Sequence, residues 1–220
     1  MVDTRTGAQK PTGLDASLRD RILAATQEIV LREGISGLSM RKVATEVGVS
    51  AAAIYRHFDS KEALLSEVVV AGLRVLEGYL RPGLAAATPF ERLQQLTRSY
   101  LAFAMEQPQY FDLAFLTPAP NIASVSDEIA RPMWDTFRGA IDQVVGCMAR
   151  GDFERDDPLS TAIMIWAEVH GLVTLFRTGR MGPDPEQFRF LYEASVERMF
   201  RGLRPRSAPG QPGTDATTSA

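Results

Sequence analysis

Apolar residues recur along most of the chain at spacings of three and four, which is the pattern of amphipathic helices. Met40, Val43, Ala44 and Val47, for example, form one apolar stripe. A half-buried strand would show alternating apolar and polar residues between two turns. No stretch of the chain has this pattern. The pattern therefore predicts an all-α protein.

Residues that cap helices mark where several of these helices begin. Thr88-Pro89-Phe90-Glu91 places a cap, a proline and a carboxylate at the first positions of a helix, and Asp184-Pro185-Glu186-Gln187 repeats that order. Asp15 or Ser17 can cap the first helix, which Gly34 can end in the left-handed conformation. The predicted helices cover residues 15–33, 40–47, a short stretch from 50, 60–80, 89–107, 109–116, 126–150, 158–179 and 185–203.

Length and composition limit the class of protein. The 220 residues, 45% hydrophobic and 23% charged, fit one large or two small soluble domains. The single cysteine, Cys147, excludes a disulfide framework and indicates a reducing compartment, and we expect it to be a small buried residue. The polar start lacks the apolar core of a signal peptide, and the most apolar stretch, 161–176, contains Glu168 and is too short to span a membrane. We therefore expect a cytoplasmic protein with no membrane partner.

Charge is distributed unevenly along the chain, although the net charge is only −3. Residues 1–62 hold nine Lys and Arg against eight Asp and Glu, whereas the remainder holds 15 against 19. Two of the three lysines, Lys42 and Lys61, lie between residues 39 and 61. A locally basic segment on an acidic body is typical of a small module that contacts phosphates.

The segment around Gly48 predicts a helix-turn-helix. Gly48-Val49 is a short link between two helices, and glycine permits a sharp turn. The second helix starts at Ser50 and continues with three alanines, so little bulk would keep it out of a DNA groove. Donors to phosphate oxygens follow directly: Tyr55, Arg56, His57 and Lys61.

Residues 39–65, SMRKVATEVGVSAAAIYRHFDSKEALL, resemble the DNA-binding motif of the TetR family of bacterial transcription regulators. A weaker similarity lies further on. There the run from Trp166 to Leu172, with Gln107–Tyr110 and Leu113–Leu116, resembles the C-terminal domain of the TetR subgroup named for a Trp…His-Gly signature. Together the two similarities cover most of residues 15–203.

The resemblance implies a three-helix DNA-binding domain and a helical domain for ligand binding and dimerisation. We place the first over 15–60 and the second over 61–203, between a disordered arm (1–14) and a disordered tail (204–220). The resemblance also implies a homodimer that binds a palindromic operator in double-stranded DNA. Its expected role is a repressor released by a small apolar or amphipathic effector, with an activator or a ligand-independent regulator as the alternative.

Carried over by position, the resemblance assigns residues to DNA. Tyr55, His57 and Lys61 would contact phosphates, while Arg41 and the start of the third helix would lie nearest the bases. Because alanines offer only methyl groups, we expect readout through thymine methyls, Arg41 and DNA shape. Packing is the alternative for Tyr55, a solvated position or a helix C-cap is the alternative for His57, and a solvated position is the alternative for Arg41. The full set is Ser39, Arg41, Ser50, Ala51, Ala52, Tyr55, His57 and Lys61.

Aromatic and methionine side chains of the second domain are candidates for a ligand pocket, because such sites are largely apolar. For each of them the alternative is ordinary core packing. For His170 we favour a hydrogen-bonded helix histidine beside Gly171, which would allow close helix packing. The candidates are Phe103, Met105, Phe111, Phe115, Trp134, Phe137, Trp166 and His170.

The last two predicted helices are expected to form a four-helix seam with those of a second subunit. The candidates there are Leu175, Phe188, Leu191, Tyr192, Ser195 and Met199. With two histidines and no GxSxG, HExxH, P-loop or GxGxxG motif, the chain offers no catalytic constellation. We therefore expect no enzyme, no cofactor and no metal site. A protein that only binds other proteins is the remaining alternative. It would need the last two helices for dimerisation but would have no use for the basic segment 39–61.

Overall fold

The computed structural model describes residues 17–116 and 127–205, with only the backbone of 127–136. The predicted arm (1–14) and the predicted tail from residue 206 lie outside the described residues. Helices fill most of the described chain and no strand occurs in it, so the all-α prediction is confirmed. The helices are α1 (Leu18–Glu33), α2 (Met40–Val47), α3 (Ala51–Tyr55), α4 (Lys61–Leu80), α5 (Pro89–Glu106), α6 (Pro108–Phe111), α7 (Asp127–Arg150), α8 (Pro158–Arg177) and α9 (Pro185–Gly202).

Side-chain caps explain where the helices begin. Ser17, one of the two predicted caps of α1, accepts a hydrogen bond from the backbone N–H of Asp20 and closes a reciprocal capping box. Thr88 and Glu91 form the predicted box at α5, with bonds of 3.2 and 3.0 Å. Asp184 accepts from two backbone N–H groups at the start of α9. These local signals place the helix starts correctly.

The chain divides into two compact units, with one border inside α4 between Leu76 and Glu77. The first unit contains α1 to α3, the adjoining part of α4, residues 107–116 and the start of α7. Its apolar side chains form one core, in which the residues with no exposed surface are Ile22, Ile29, Val43, Ile54, Leu64 and Val68.

The segment after α5 packs within the first unit. α6 leads into a π-helical turn, Asp112–Leu116, where the sequence predicts one short helix over 109–116. Leu113 in that turn is 4% exposed and belongs to the core of α1 to α4. A Cβ atom at Gly72 would lie 3.3 Å from the Tyr110 ring, so α4 and α6 approach closely at a position that suits glycine.

The second unit contains α5, α8, α9 and the rest of α7. The Tyr192 hydroxyl of α9 donates a 2.8 Å hydrogen bond to the carbonyl of Thr97 in α5. Phe176 of α8 stacks on Phe188 of α9 with ring centroids 4.2 Å apart. Cys147 is fully buried in this unit, as predicted, and burial raises the pKa of its thiol to about 12.

Six residues are predicted to lie in the subunit seam, and for two of them the prediction is wrong. Phe188 and Tyr192 are 2% and 1% exposed because they pack inside their own chain. They belong to the buried stripe of α9, which continues through Val196 and Phe200. Leu175 and Leu191 are 42% and 40% exposed. The remaining two candidates, Ser195 and Met199, are partly buried.

Candidate nucleic-acid interface

The turn between α2 and α3 is built on Gly48. This residue has φ +77° and ψ +35°, the left-handed conformation that glycine adopts most readily. Its N–H bonds to the carbonyls of Ala44 and Thr45, and the N–H of Val49 bonds to that of Ala44 as well. These bonds end α2 and redirect the chain within two residues, so α3 can pack across α2.

The short helix α3 has one buried side and one open side. Ala53 and Ile54 are 6% and 0% exposed and face the core. Ala52 and Tyr55 lie on the open side, where the tyrosine is 52% exposed. His57, just past the end of α3, is also exposed. The open side is the one that a groove-binding helix needs, and within the described residues no other segment buries it.

The serines of the predicted DNA-binding set are helix caps. Ser39 and Ser50 accept hydrogen bonds of 3.2 Å from the backbone N–H groups of Lys42 and Ala53. Ala51 is partly buried and packs against the core, so the methyl group of Ala52 is the more accessible of the two. Arg41 is exposed.

Lys61 lies in the first turn of α4 and donates a 3.3 Å hydrogen bond to the backbone carbonyl of Ile35. A cation at a helix N-terminus opposes the helix dipole, and an outside anion would relieve that conflict. The Ile35 carbonyl already relieves part of this conflict. The position of Lys61 is therefore weaker evidence for a bound phosphate than the sequence alone suggests. The carbonyl is neutral, however, and an ammonium group has three donors, so the charge and two donors remain.

Two arginines of α1 hold the helix-turn-helix in place, and the sequence reasoning missed both. The Arg21 guanidinium donates a 2.8 Å hydrogen bond to the carbonyl of Val47, at the end of α2. Arg19 pairs with Glu67 of α4, and its guanidinium lies 5.0 Å from the centre of the Phe58 ring. Because these partners are 26 to 48 residues away, no local pattern indicates them.

The predicted ligand residues fall into both units. Phe111 and Phe115 belong to the first, with ring centroids 5.2 Å apart. The others described lie in the second unit, where Phe103 is fully buried and Met105 is partly buried. The side chain of Trp134 lies outside the described residues.

Phe137, Trp166 and His170 form an aromatic row in the second unit. Phe137 and Trp166 have ring centroids 5.8 Å apart, and Trp166 and His170 have theirs 5.5 Å apart. The row ends at Tyr100, whose hydroxyl donates to Nδ1 of His170 at 2.8 Å if the neutral ring carries its proton on Nε2. The sequence reasoning did not single out Tyr100, since its role depends on contact between α5 and α8.

His170 is the hydrogen-bonded helix histidine that the sequence favours, since Thr174 lies 3.4 Å from Nε2 in addition to the Tyr100 bond. The prediction that Gly171 allows close helix packing beside His170 is wrong. A Cβ atom built there meets nothing within 4 Å, so this glycine permits no close packing among the described residues. It leaves a gap on the outer side of α8 instead.

Stability of the second unit is expected to fall in acid because of His170. Burial lowers the pKa of this imidazole below its usual value of 6.5, so the folded chain resists a proton that the unfolded chain accepts. The neutral ring therefore contributes its full share of the folding stability above pH 6.5. That share is lost as the pH falls from there through the lowered pKa of the folded state. Urea unfolding midpoints at two pH values should drop further for the native chain than for His170→Gln, whose amide oxygen can still accept from Tyr100. Equal drops would contradict this.

In the first unit a glycine turn joins α2 to α3, both helices pack on one core, and one side of α3 stays open. This arrangement defines a helix-turn-helix DNA-binding protein. Residues 22–68 match the family model for bacterial regulatory proteins of the tetR family, and residues 93–202 match the model for a Tetracyclin repressor-like C-terminal domain. The chain belongs to the TetR family of transcriptional regulators, which are not enzymes.

Curated relatives agree with this assignment. An HTH-type transcriptional regulator of Haemophilus influenzae is 30% identical over 54% of this chain and 65% of its own length. The regulator YobS of Bacillus subtilis is 27% identical over 43% of this chain and 50% of its own. The transcriptional repressor KstR of Mycobacterium tuberculosis is 37% identical over 34% of each chain. The chain thus spans about half to two thirds of the first two relatives.

A solved structure matches over a longer range. A protein of unknown function from Rhodococcus sp. RHA1 superimposes with a TM-score of 0.75 and 26% identity, over 89% of this chain and all of its own. By length and composition alone α8 could pass as a membrane span, but in this fold it is a helix of the second unit and not a span.

Proposed function

We propose that this protein is a homodimeric repressor that binds a palindromic operator and is released from it by a small apolar or amphipathic molecule. The observation that carries the proposal is the open side of α3, where Ala52, Tyr55 and His57 face away from the core. The name of the similar mycobacterial protein favours a repressor over an activator or a ligand-independent regulator. An electrophoretic mobility shift on DNA flanking the protein's own gene tests it, and no shift at low salt would contradict it.

The outer face of α8 supports the homodimer. Glu168 and Arg177 are the only charged residues of this helix, and its exposed apolar side chains are 41 to 49% exposed. These side chains are Leu159, Ile163, Met164, Trp166 and Leu175. Soluble monomers rarely expose so continuous an apolar surface. A second copy is the occupant we propose, because a two-fold axis pairs one surface with itself and Gly171 leaves room for a close approach.

Effector release requires that the two units communicate, and α4 and α7 are the helices that continue from one unit into the other. We propose that the effector binds among the aromatic residues of the second unit, on the row of Phe137, Trp166 and His170, so that Trp166 lies at the border between the effector site and the proposed dimer face. The effector is proposed to bind more tightly to a dimer whose two α3 helices have an altered spacing than to the dimer that fits the operator. Operator affinity then falls by the ratio of these two effector affinities.

Replacing Ala52 with arginine should change which operators are bound. The methyl group of Ala52 can only contact apolar base edges, whereas a guanidinium can bind guanine bidentately, which discriminates by about 1–3 kcal/mol. Selection of binding sites from random DNA should therefore enrich guanine at one position of each half-site. An unchanged consensus would show that Ala52 does not face the bases.

Replacing Lys61 with alanine should weaken binding to all sequences equally, since its uncancelled charge serves phosphates and not bases. The slope of log affinity against log salt should become shallower by about one for each phosphate that the lysine no longer neutralises. Fluorescence anisotropy titrations at several salt concentrations measure the slope. A changed preference among operators would contradict a phosphate role.

A further inference from the structure

The cations of the helix-turn-helix differ in whether their charge is cancelled. Lys42, on α2, forms an ion pair with Glu33 at the end of α1. Glu33 also accepts from Arg32 at 3.1 Å, and Arg32 lies 3.9 Å from Glu46. The hydrogen bond from Lys42 is the main reason that the pKa of Glu33 lies below its usual value. These four residues balance two positive charges with two negative ones.

Arg41 and Arg56 stand outside that balanced group. Both side chains are exposed, and neither makes a hydrogen bond or an ion pair with another described residue. Arg41 is on α2, the helix that contains Lys42, and Arg56 follows directly on Tyr55 at the end of α3. Their guanidinium groups therefore keep a full charge and all five donors for a ligand outside the subunit.

We propose that Glu33 removes Lys42 from DNA binding, and that Arg56 and Arg41 are phosphate-binding residues of this surface, a role that replaces the base contact expected for Arg41. The inference rests on the proposed DNA-binding function and adds to it. A polyanion gains affinity from a cation to the extent that contact releases counterions, and a cation already neutralised by a carboxylate releases fewer. Arginine also matches the geometry of phosphate oxygens with two parallel hydrogen bonds. Glu33 thus limits how strongly this segment binds DNA of any sequence.

The salt dependence of binding separates these roles. The probes are two labelled duplexes, one with the operator recovered by selection and one of random sequence. For Arg41→Ala and Arg56→Ala, the slope of log affinity against log salt should become shallower by about one. Lys42→Ala is the matched control from the same segment, and its slope should stay at the native value because the lysine is paired with Glu33 and contacts no phosphate.

Glu33→Gln should act in the opposite direction. It keeps the shape of the side chain but frees Lys42, so the slope should steepen by about one and low-salt affinity for the random duplex should rise several-fold. In Glu33→Gln combined with Lys42→Ala, the slope should return to the native value, which separates freed charge from a disturbed fold.

The possible failures are distinct. If the native chain binds neither duplex at low salt, the proposed function is overturned and this inference with it. If the native chain binds and Arg56→Ala keeps the native slope, or if Glu33→Gln leaves the slope unchanged, this inference alone is overturned. Circular dichroism melting of each variant checks that it is folded when the titration is made.

Discussion

Replacing Ala167 with glutamate is expected to abolish dimerisation and to lower operator affinity by roughly 100-fold or more. Ala167 is exposed on α8 among the apolar side chains Ile163 and Met164, so the isolated subunit can accommodate the change. In the proposed dimer each carboxylate would be buried without a partner. Loss of about 3–5 kcal/mol is typical of an unpaired buried charge, and each 1.4 kcal/mol is a factor of ten in affinity.

Sedimentation equilibrium and anisotropy titration measure the two effects on the same preparation. Arg155→Glu is the control, since it also adds negative charge but lies in the exposed turn after α7. This control should remain a dimer with nearly native affinity. An Ala167→Glu variant that sediments as a dimer and binds DNA as the native chain does would show that α8 is not the seam.

The second large effect is expected for Phe58→Ala. Phe58 is 4% exposed in the core of the first unit, and the Arg19 guanidinium packs on its ring. Truncation of a buried phenylalanine costs about 3–5 kcal/mol, so the free energy of unfolding should fall by that amount and operator binding should be lost on mild heating. Urea unfolding followed by circular dichroism measures it.

Tyr55→Ala is the matched comparison three residues earlier. Tyr55 is 52% exposed, so its replacement should change the free energy of unfolding by no more than about 0.5 kcal/mol. DNA affinity should nevertheless fall, since the phenol is proposed to donate to a phosphate. If Tyr55→Ala destabilised the chain as much as Phe58→Ala while leaving affinity intact, the side of α3 that we assign to DNA would be the wrong one.

Much of the fold could be predicted because its signals are local. A cap such as Ser17, Thr88 or Asp184 satisfies N–H groups two or three residues away, so a short stretch of sequence fixes the start of a helix. Gly48 likewise indicates a left-handed turn without reference to distant residues. Such signals predict the helix-turn-helix, and the family comparison confirms it.

What could not be predicted depends on contacts between distant segments. Apolar spacing shows that α9 has two apolar sides, but not which side turns inward, and so the prediction for Phe188 and Tyr192 is wrong. The spacing also treats Lys42 and Lys61 alike, although the first is neutralised by Glu33 and the second is not. The partner of His170 is Tyr100, seventy residues away in sequence.

In the proposed function, two copies of α3, held together by a dimer, read one duplex. Binding-site selection from random DNA, followed by sedimentation of the chain with the selected duplex, tests it most directly. We predict an inverted repeat with half-sites about 10 base pairs apart, centre to centre, or a multiple of that spacing, bound by an even number of chains. A consensus without internal symmetry, bound by a single chain, would contradict the account.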